Sequence, residues 1–273
     1  MSVDSINASG VFRVGDVMSG AWRLLTRNLL FFLLAPVIIY LIMIVFFMLF
    51  FMTFGLALWA SGSRTVIGIG IGAGVIIVLS FTLVGQGLLL LGAFQRLRGQ
   101  PLRVGQALQR VFARLAPLVG LSIVWGLAII LAMVFILMFV AMLTGLIGPF
   151  AIVLVPAVYA LLAYILVVWA VIVPACLVED LGPIASLIRS ANLTKGYRWK
   201  IFGIMFLIAL LSVVGSILQV MLAAYDLIAG NIFAIIWFLV WIAYWNCNII
   251  MIYHDLRVAK EGVDTQQIAA IFD

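Results

Sequence analysis

The sequence predicts an all-α, polytopic membrane protein: a bundle of six transmembrane helices with three amphipathic helices at its cytoplasmic face. Of the 273 residues, 67% are hydrophobic and only 9% are charged, and the mean hydropathy is +1.37. A soluble domain is about half apolar and about a quarter charged, so this composition excludes a soluble enzyme, a disordered chain or a secreted disulfide scaffold. The apolar runs are continuous rather than alternating, which favours helices over a transmembrane barrel.

Six continuous apolar stretches are each long enough to cross a bilayer, because about 20 helical residues span the hydrocarbon core. We expect them to form one membrane domain over residues 1–273. Pro36 lies near the start of the first stretch and predicts a kink there. The predicted spans cover residues 29–60, 65–94, 115–143, 149–176, 201–225 and 231–253.

The positions of the basic residues predict the orientation of the chain. With six spans, every Lys and Arg except Arg64 falls on the same side of the membrane. Cytoplasmic loops carry an excess of Lys and Arg, so we expect both termini in the cytoplasm. The net charge of +6 then belongs to the cytoplasmic face, which argues for contact with membrane lipid rather than with nucleic acid.

Three amphipathic helices are predicted on the cytoplasmic side, over residues 11–27, 103–115 and 183–195. In each, apolar residues recur at three- and four-residue steps, and basic residues occupy the opposite face. Each helix precedes two spans, so the chain resembles three loose repeats of one amphipathic and two spanning helices. A near-surface Lys or Arg contributes about 1 kcal/mol of attraction to anionic lipid. The residues expected at lipid head groups are Arg13, Arg23, Arg27, Arg103, Arg110, Arg114, Arg189, Lys195, Arg198 and Lys200.

Four strings carry a resemblance to a known family: VGQALQRVFARLAPLVG (104–120), VPAVY (155–159), WAVIVPACLVEDLGPIASLIRSANLTKGYRWKIFGI (169–204) and MIYHDLRVAKEGVDTQQIAAIF (251–272). They resemble the membrane-domain family named for glycerophosphoryl diester phosphodiesterases, from about residue 96 onward. Ala157 departs from the usual Gly, and His254 from the usual Tyr.

The resemblance implies a multi-span protein of the bacterial inner membrane. Some members of the family carry a fused phosphodiesterase domain, and many stand alone. The phosphodiesterase reaction needs a soluble barrel with clustered His and acidic metal ligands, whereas this chain has one His. The family name therefore implies no catalytic activity for this chain.

Amide side chains inside the predicted spans are the first candidate functional residues. They are Gln86, Gln219, Asn246 and Asn248. A polar group in hydrocarbon is costly unless it is paired, so we expect hydrogen bonds between helices, with one asparagine bonded to Gln86. A ligand-binding amide pair is the alternative. Acidic and basic residues are missing from the span centres, which argues against a proton relay, a voltage sensor or an ion-coupled carrier.

Two periodic patterns predict close packing, either within the chain or against a partner. The first is a pair of overlapping GxxxG spacings, at which helices approach closely. These glycines are Gly68, Gly70, Gly72 and Gly74. The second is an aromatic ridge with a four-residue repeat on the last span, which we interpret as a packing or partner-docking surface. Its residues are Phe233, Trp237, Trp241 and Trp245.

A cluster of titratable residues follows the last span. His254 and Asp255 have the composition of a base with an orienting carboxylate, but no nucleophile motif accompanies them. We therefore favour a solvated histidine at the membrane interface. Asp255, Arg257, Lys260 and Glu261 are expected to fasten the C-terminal helix to the amphipathic helices, and Arg257 and Glu261 are spaced as a helix pair.

Glu179 and Asp180 form an adjacent acidic pair at the end of the fourth span. Neighbouring helical positions point apart, so the two carboxylates are poor catalytic partners for each other. Asp180 is followed shortly by Gly182 and Pro183, so we expect its carboxylate to favour or cap the helix that begins there.

Together these patterns predict a non-enzymatic membrane scaffold or accessory subunit. We expect it to bind anionic lipid head groups and a membrane-protein partner or a second copy of itself. Cofactors and metals are not expected, since Cys176 and Cys247 lack metal-binding spacing. The alternative is binding or translocation of a lipid or other amphiphile, which a polar-lined cavity at Gln86 and Asn248 would favour. An intramembrane enzyme ranks last, for want of a nucleophile–base pair.

Overall fold

The computed structural model describes residues 12–61, 63–97, 104–148 and 155–262. Within these ranges the chain consists of helices joined by short connections, so the predicted all-α class is confirmed. The helices are α1 (Val14–Arg27), α2 (Leu29–Ser61), α3 (Arg64–Leu97), α4 (Val104–Ala113), α5 (Leu115–Ile147), α6 (Val155–Val168), α7 (Ile172–Val178), α8 (Pro183–Thr194), α9 (Arg198–Tyr225) and α10 (Leu227–Glu261).

Six helical segments in the described ranges are long and apolar enough to cross a membrane. They are Leu29–Leu56, Thr65–Arg96, Leu115–Gly145, Ala160–Val178, Arg198–Tyr225 and Leu227–Glu261. The predicted membrane bundle of six spanning helices is therefore confirmed. Helix α2, the first spanning helix, remains α-helical through Pro36. The 35 residues of α10 are about 50 Å long at 1.5 Å per residue, so this helix extends beyond a hydrocarbon core of about 30 Å.

The buried core lies toward one end of the bundle and is organised around α10. This helix packs against α1, α2, α3, α8 and α9. Its buried stretch includes Ile250 and Tyr253, and it meets buried residues of α3 and α7 such as Phe94 and Leu177. Toward the other end, large apolar side chains such as Met48 and Leu131 are exposed. In a bilayer this exposed apolar surface faces lipid.

The amphipathic helices and the end of α10 meet at the same end of the bundle, which we call the basic end (α1, α4, α8 and the last turns of α10). The hydroxyl of Tyr244 donates to the Met18 carbonyl at 3.4 Å. Lys200 Nζ donates to the Phe12 carbonyl at 2.8 Å and so joins α9 to the start of α1. The first and last described helices thus lie together.

The apolar stripe of α1 packs on protein. Val17, Ala21 and Leu25 are buried against neighbouring helices, chiefly α10 and α9. The predicted stripe of this helix therefore joins the core, and only Trp22 among its large apolar side chains is markedly exposed, at 55%. Helix α4 has the same character, with Val111 buried and Phe112 exposed.

Helix α8 packs through its small polar residues instead of its apolar stripe. Ser186, Ser190 and Thr194 are buried, whereas Ile184 and Ile188 are 66% and 58% exposed. An amphipathic helix normally buries its apolar face. The buried polar face of α8 lies against an interruption in the neighbouring span.

The fourth span, predicted over 149–176, is described as Ala160–Val178 and contains an interruption between α6 and α7. Residues 149–154 lie outside the described ranges, and residues 169–171 form a turn. Ser190 Oγ donates to the Val168 carbonyl at 2.9 Å and accepts from the Val171 N–H at 3.4 Å. Backbone polar groups at membrane depth must be paired within the protein. The serine face of α8 supplies those partners.

Candidate functional site

Five polar residues form a network at the basic end, which we call the Glu179 cluster: Glu179, Arg189, Tyr253, Arg257 and Glu261. The carboxylate of Glu179 accepts hydrogen bonds from Arg189 Nε at 2.5 Å and from the Tyr253 hydroxyl at 2.9 Å. Arg257 Nε lies 4.0 Å from Glu179 Oε1 and donates to Glu261 Oε2 at 3.0 Å. Arg189 also pairs with Glu261. Two carboxylates therefore balance two guanidiniums between α7, α8 and α10.

The Glu179 cluster is largely shielded from water. The side chains of Glu179 and Arg257 are 15% and 8% exposed. Burial alone would lower the pKa of the Arg189 guanidinium, but hydrogen bonds and charge from Glu179 and Glu261 hold that pKa above its ordinary value. Lys260 also donates to the Asn192 carbonyl. The charges of this cluster are thus occupied in fastening the end of α10 to α7 and α8.

Asp180 does not cap α8, so of the two expectations for this residue the cap is wrong. The N-cap residue of α8 is Gly182, so no side chain caps this helix. Asp180 instead adopts a left-handed backbone conformation with φ 54°, and its carboxylate lies 2.5 Å from Arg114 Nη2. Arg114 Nη1 donates to the Asp180 carbonyl at 3.1 Å. The turn after α7 therefore directs Asp180 toward the start of α5 and away from α8.

His254 is not the solvated histidine that the sequence predicts. Its side chain is only 12% exposed. His254 Nδ1 lies 3.0 Å from Asp255 Oδ1. Among the described residues, no group of three or more His, Cys, Asp and Glu side chains is placed to hold a metal ion.

The ten basic residues predicted at lipid head groups differ in their partners and in their exposure. Arg114 and Arg189 are held in ion pairs, Arg198 Nη1 donates to the Tyr164 hydroxyl at 2.5 Å, and Lys200 bonds to Phe12. Arg103 lies outside the described ranges, and Arg110 is half-buried. The exposed members are Arg13, Arg23, Arg27, Lys195 and Lys200. The head-group surface is therefore centred on α1.

The intramembrane amides do not pair with one another in the expected way. Asn246 Nδ2 donates to the Ile242 carbonyl at 2.8 Å, and Asn248 Nδ2 donates to the Tyr244 carbonyl at 2.9 Å. Both asparagines thus bond to their own helix four residues back, a local alternative that Asn side chains readily adopt. The expected bond from an asparagine to Gln86 is not made, and Gln219 lies on α9.

Gln86 lies between two cavities inside the bundle. The α2 cavity has a volume of about 170 Å³ and is bounded by α2, α3 and α10. The α7 cavity has a volume of about 190 Å³ and lies among α3, α5, α9, α10 and the interruption between α6 and α7. Residues that line both cavities are Thr82, Gln86 and Trp245. Asn248 is fully buried and lines neither.

The aromatic ridge of α10 packs within the chain. Trp237 lies so close to α9 that a Cβ added to Gly215 would be 1.9 Å from its ring. Trp241 and Trp245 stack with centroids 5.9 Å apart, and both line the α2 cavity. Of the two interpretations of the ridge, intrachain packing matches this arrangement.

The glycines of α3 form a close contact with α2. A Cβ on Gly70 would overlap the ring of Phe54, and a Cβ on Gly74 would lie 3.7 Å from Phe50. Gly72 has open space on its side of the helix, and Gly68 belongs to the same helix. The Gly70–Gly74 spacing therefore serves packing inside the chain.

These features define a class: a multi-pass α-helical membrane protein with a charged network at one end and cavities within its bundle. Comparison of the chain with profiles of known protein families, with curated proteins and with solved structures finds no match.

Sequence reasoning missed the serine face of α8 and the central place of Glu179. One signal could have revealed the first. Ser186, Ser190 and Thr194 recur every four residues, and Pro174 cannot donate a helical hydrogen bond to the Ala170 carbonyl. A polar stripe on one helix and an interrupted span beside it together indicate that side chains of the stripe form hydrogen bonds with the backbone at the interruption. Glu179 had no comparable signal, because its partners are distant in sequence.

Replacing Ser190 by alanine is expected to lower the free energy of unfolding by about 1–3 kcal/mol. The variant leaves the Val171 N–H and the Val168 carbonyl without the Ser190 hydroxyl, and a buried unpaired polar group costs about that much. Thermal unfolding in detergent, followed by circular dichroism, measures the change. Ser216→Ala is the control, since Ser216 is exposed and bonds only within α9. Equal stability of the two variants would contradict the capping role.

Proposed function

We propose that this chain is a non-enzymatic membrane scaffold or accessory subunit whose basic end binds anionic lipid head groups. The observation that carries the proposal is the outer face of α1. Arg23 and Arg27 are exposed on one side of this helix, four residues apart, and Trp22 beside them is 55% exposed. Tryptophan and arginine side chains together favour the head-group region of a bilayer.

The basic end also supports this interpretation through its internal charge pairing. Arg189 and Arg257 are balanced by Glu179 and Glu261, so these residues stabilise the helix ends. Arg23 and Arg27 of α1 are exposed and form no ion pair with another described residue, so they give this end a positive surface. A basic surface of this kind suits a scaffold that holds the anionic leaflet while a partner binds alongside.

The proposal also covers the cellular location of the protein and the family to which it belongs. The predominance of Lys and Arg at the basic end favours a cytoplasmic location for that end and for both termini. We further propose the bacterial inner membrane and membership of the membrane-domain family of glycerophosphoryl diester phosphodiesterases, on the strings quoted above. The exposed apolar surface toward the opposite end offers room for a membrane-protein partner or a second copy of the chain.

Charge reversal on α1 tests the head-group proposal. We expect Arg23→Glu with Arg27→Glu to lower the affinity for phosphatidylglycerol, relative to phosphatidylcholine, by about tenfold or more. Each near-surface basic residue contributes about 1 kcal/mol, and 1.4 kcal/mol corresponds to a factor of ten. Lipid titration of the purified full-length protein, followed by native mass spectrometry, gives the relative affinity.

The matched control is Arg23→Lys with Arg27→Lys, which keeps the charge and should keep the preference for phosphatidylglycerol. Raising the salt concentration should weaken binding to the unaltered protein, because exposed charges are screened. Undiminished preference in the glutamate variant would overturn the proposal.

A further inference from the structure

The two cavities begin close to the basic end of the bundle. Tyr244, the residue before Trp245, donates to the Met18 carbonyl of α1, and its ring centroid lies 6.0 Å from that of Trp22. Gln86 is ten residues before Arg96 on α3, which is about 15 Å at 1.5 Å per helical residue. The cavities therefore extend from beneath α1 into the hydrocarbon core, which is about 30 Å thick.

The lining of the cavities is apolar and aromatic, with a few neutral polar groups. None of the described residues that line either cavity is charged. A phosphate or an ammonium group would lack a counter-charge there, and an unpaired charge in the hydrocarbon region is costly. An occupant of the cavities must therefore be neutral where it contacts this lining.

One hydrogen-bond donor in the lining of the α2 cavity is buried without a partner among the described residues. It is the indole Nε1 of Trp241. Buried donors are almost always paired, and an unpaired donor in hydrocarbon is costly. This N–H group therefore calls for an acceptor oxygen that the protein itself does not supply. Gln86, which lines the same cavity, is half-buried and offers a second donor to such an acceptor.

The interrupted span adds to this site. Trp169 and Ala170, which precede α7, line the α7 cavity. Irregular backbone at membrane depth is tolerated where it is buried in protein or lines a cavity, and interrupted spanning helices commonly form binding sites. Since Pro174 has no N–H, the Ala170 carbonyl receives no helical hydrogen bond from that position.

We propose that Gln86 and the two cavities form a binding site for a neutral lipid that bears a carbonyl group. The apolar body of the lipid fills the cavities, and its carbonyl oxygen accepts hydrogen bonds from Gln86 and Trp241. A cavity of about 150 Å³ holds a benzene molecule, so each cavity accommodates a six-membered ring or a short run of methylene groups. This site is independent of the head-group surface on α1.

Two kinds of lipid share this chemistry: an isoprenoid quinone, through its ring carbonyls, and a diacylglycerol, through its ester carbonyls. Titration of the full-length protein in detergent with a short-chain ubiquinone, and separately with dioctanoylglycerol, distinguishes them. Binding is followed by the fluorescence of the tryptophans that line the cavities. Trp125, Trp169, Trp241 and Trp245 all contribute to this signal.

Gln86→Leu removes the amide while keeping similar bulk, and Trp241→Phe removes the indole N–H while keeping an aromatic ring. We expect either variant to weaken binding of the lipid by about fivefold, as one hydrogen bond is worth about 1 kcal/mol. Gln219→Leu is the matched control, because Gln219 lies on α9 and lines neither cavity. Its affinity should equal that of the unaltered protein.

Binding of one lipid that both variants weaken, with the control unaffected, supports the site and identifies the carbonyl source. Binding of neither lipid overturns the proposal. So does binding that Gln86→Leu and Trp241→Phe leave unchanged, provided that the thermal unfolding midpoints of the variants match that of the unaltered protein. If Gln86→Leu is unstable, Trp241→Phe alone decides, since it leaves the packing of α3 intact.

Discussion

Replacing Glu179 by glutamine is expected to lower the free energy of unfolding by about 3 kcal/mol. The variant keeps the size of the side chain but removes the charge that faces Arg189 and Arg257. Arg257 is only 8% exposed, and a single carboxylate, Glu261, would remain for two guanidiniums. Removal of one partner from a buried ion pair typically costs about 3–5 kcal/mol, because the remaining charge is left uncompensated.

The neighbouring carboxylate supplies the control. Asp180→Asn removes the same charge one residue away, but Asp180 is 45% exposed and pairs with Arg114 near the surface. Exposed pairs of this kind contribute about 0–1 kcal/mol. Chemical unfolding of both variants in detergent micelles, followed by circular dichroism, compares them directly. Similar losses for the two variants would show that Glu179 has no special place in the network.

Replacing Gly230 by alanine is expected to destabilise the α9–α10 hairpin by about 3 kcal/mol. An added Cβ would lie 2.5 Å from Cα and Cβ of Ala223 and 2.6 Å from its backbone N. These atoms belong to the backbone or are fixed to it, so no change of rotamer relieves the overlap, and the two helices must separate. Inserting a methyl group into a well-packed contact typically costs about 1–3 kcal/mol, and rigid neighbours place this case at the upper end.

Gly203→Ala is the matched control on the same hairpin. A Cβ at Gly203 meets nothing within 4 Å, so the substitution should be neutral or slightly stabilising, since alanine favours helix by about 1 kcal/mol over glycine. Thermal unfolding midpoints of the two variants in the same detergent provide the comparison. A Gly230→Ala protein as stable as the Gly203→Ala protein would show that the helices are not in close contact at this position.

Much of the fold follows from the sequence because hydropathy and helix length are local properties. An apolar stretch such as 115–143 must cross the membrane wherever its neighbours lie, and α5 does run from Leu115 to Ile147. The amphipathic stripe of α1 likewise predicts a helix with one buried face. The fourth span shows where this reasoning stops. Its hydropathy is continuous, but the interruption at 169–171 depends on hydroxyl groups that α8 supplies.

The candidate site was predictable only in part, for a similar reason. Gln86 stood out because a polar residue in an apolar stretch is conspicuous. Its surroundings did not, since Trp169 and Trp245 reach it from other helices. The asparagines of α10 were expected to bond across helices, but their Nδ2 groups donate to backbone carbonyls of their own helix. Glu179 does not differ visibly from Asp180 in the sequence, because its partners Tyr253 and Arg257 lie far away in the chain.

The sequence by itself determined the class of protein, the number of spans and the common side of the basic residues. Each of these depends on how a segment partitions between water and hydrocarbon, which its own composition decides. The tertiary structure decided which arginines are exposed, which face of α8 is buried and where the cavities lie. Each of these depends on which side chains from distant parts of the sequence lie within hydrogen-bonding or packing distance in the folded protein. Composition places a helix in the membrane, but only its neighbours determine what each face of it contacts.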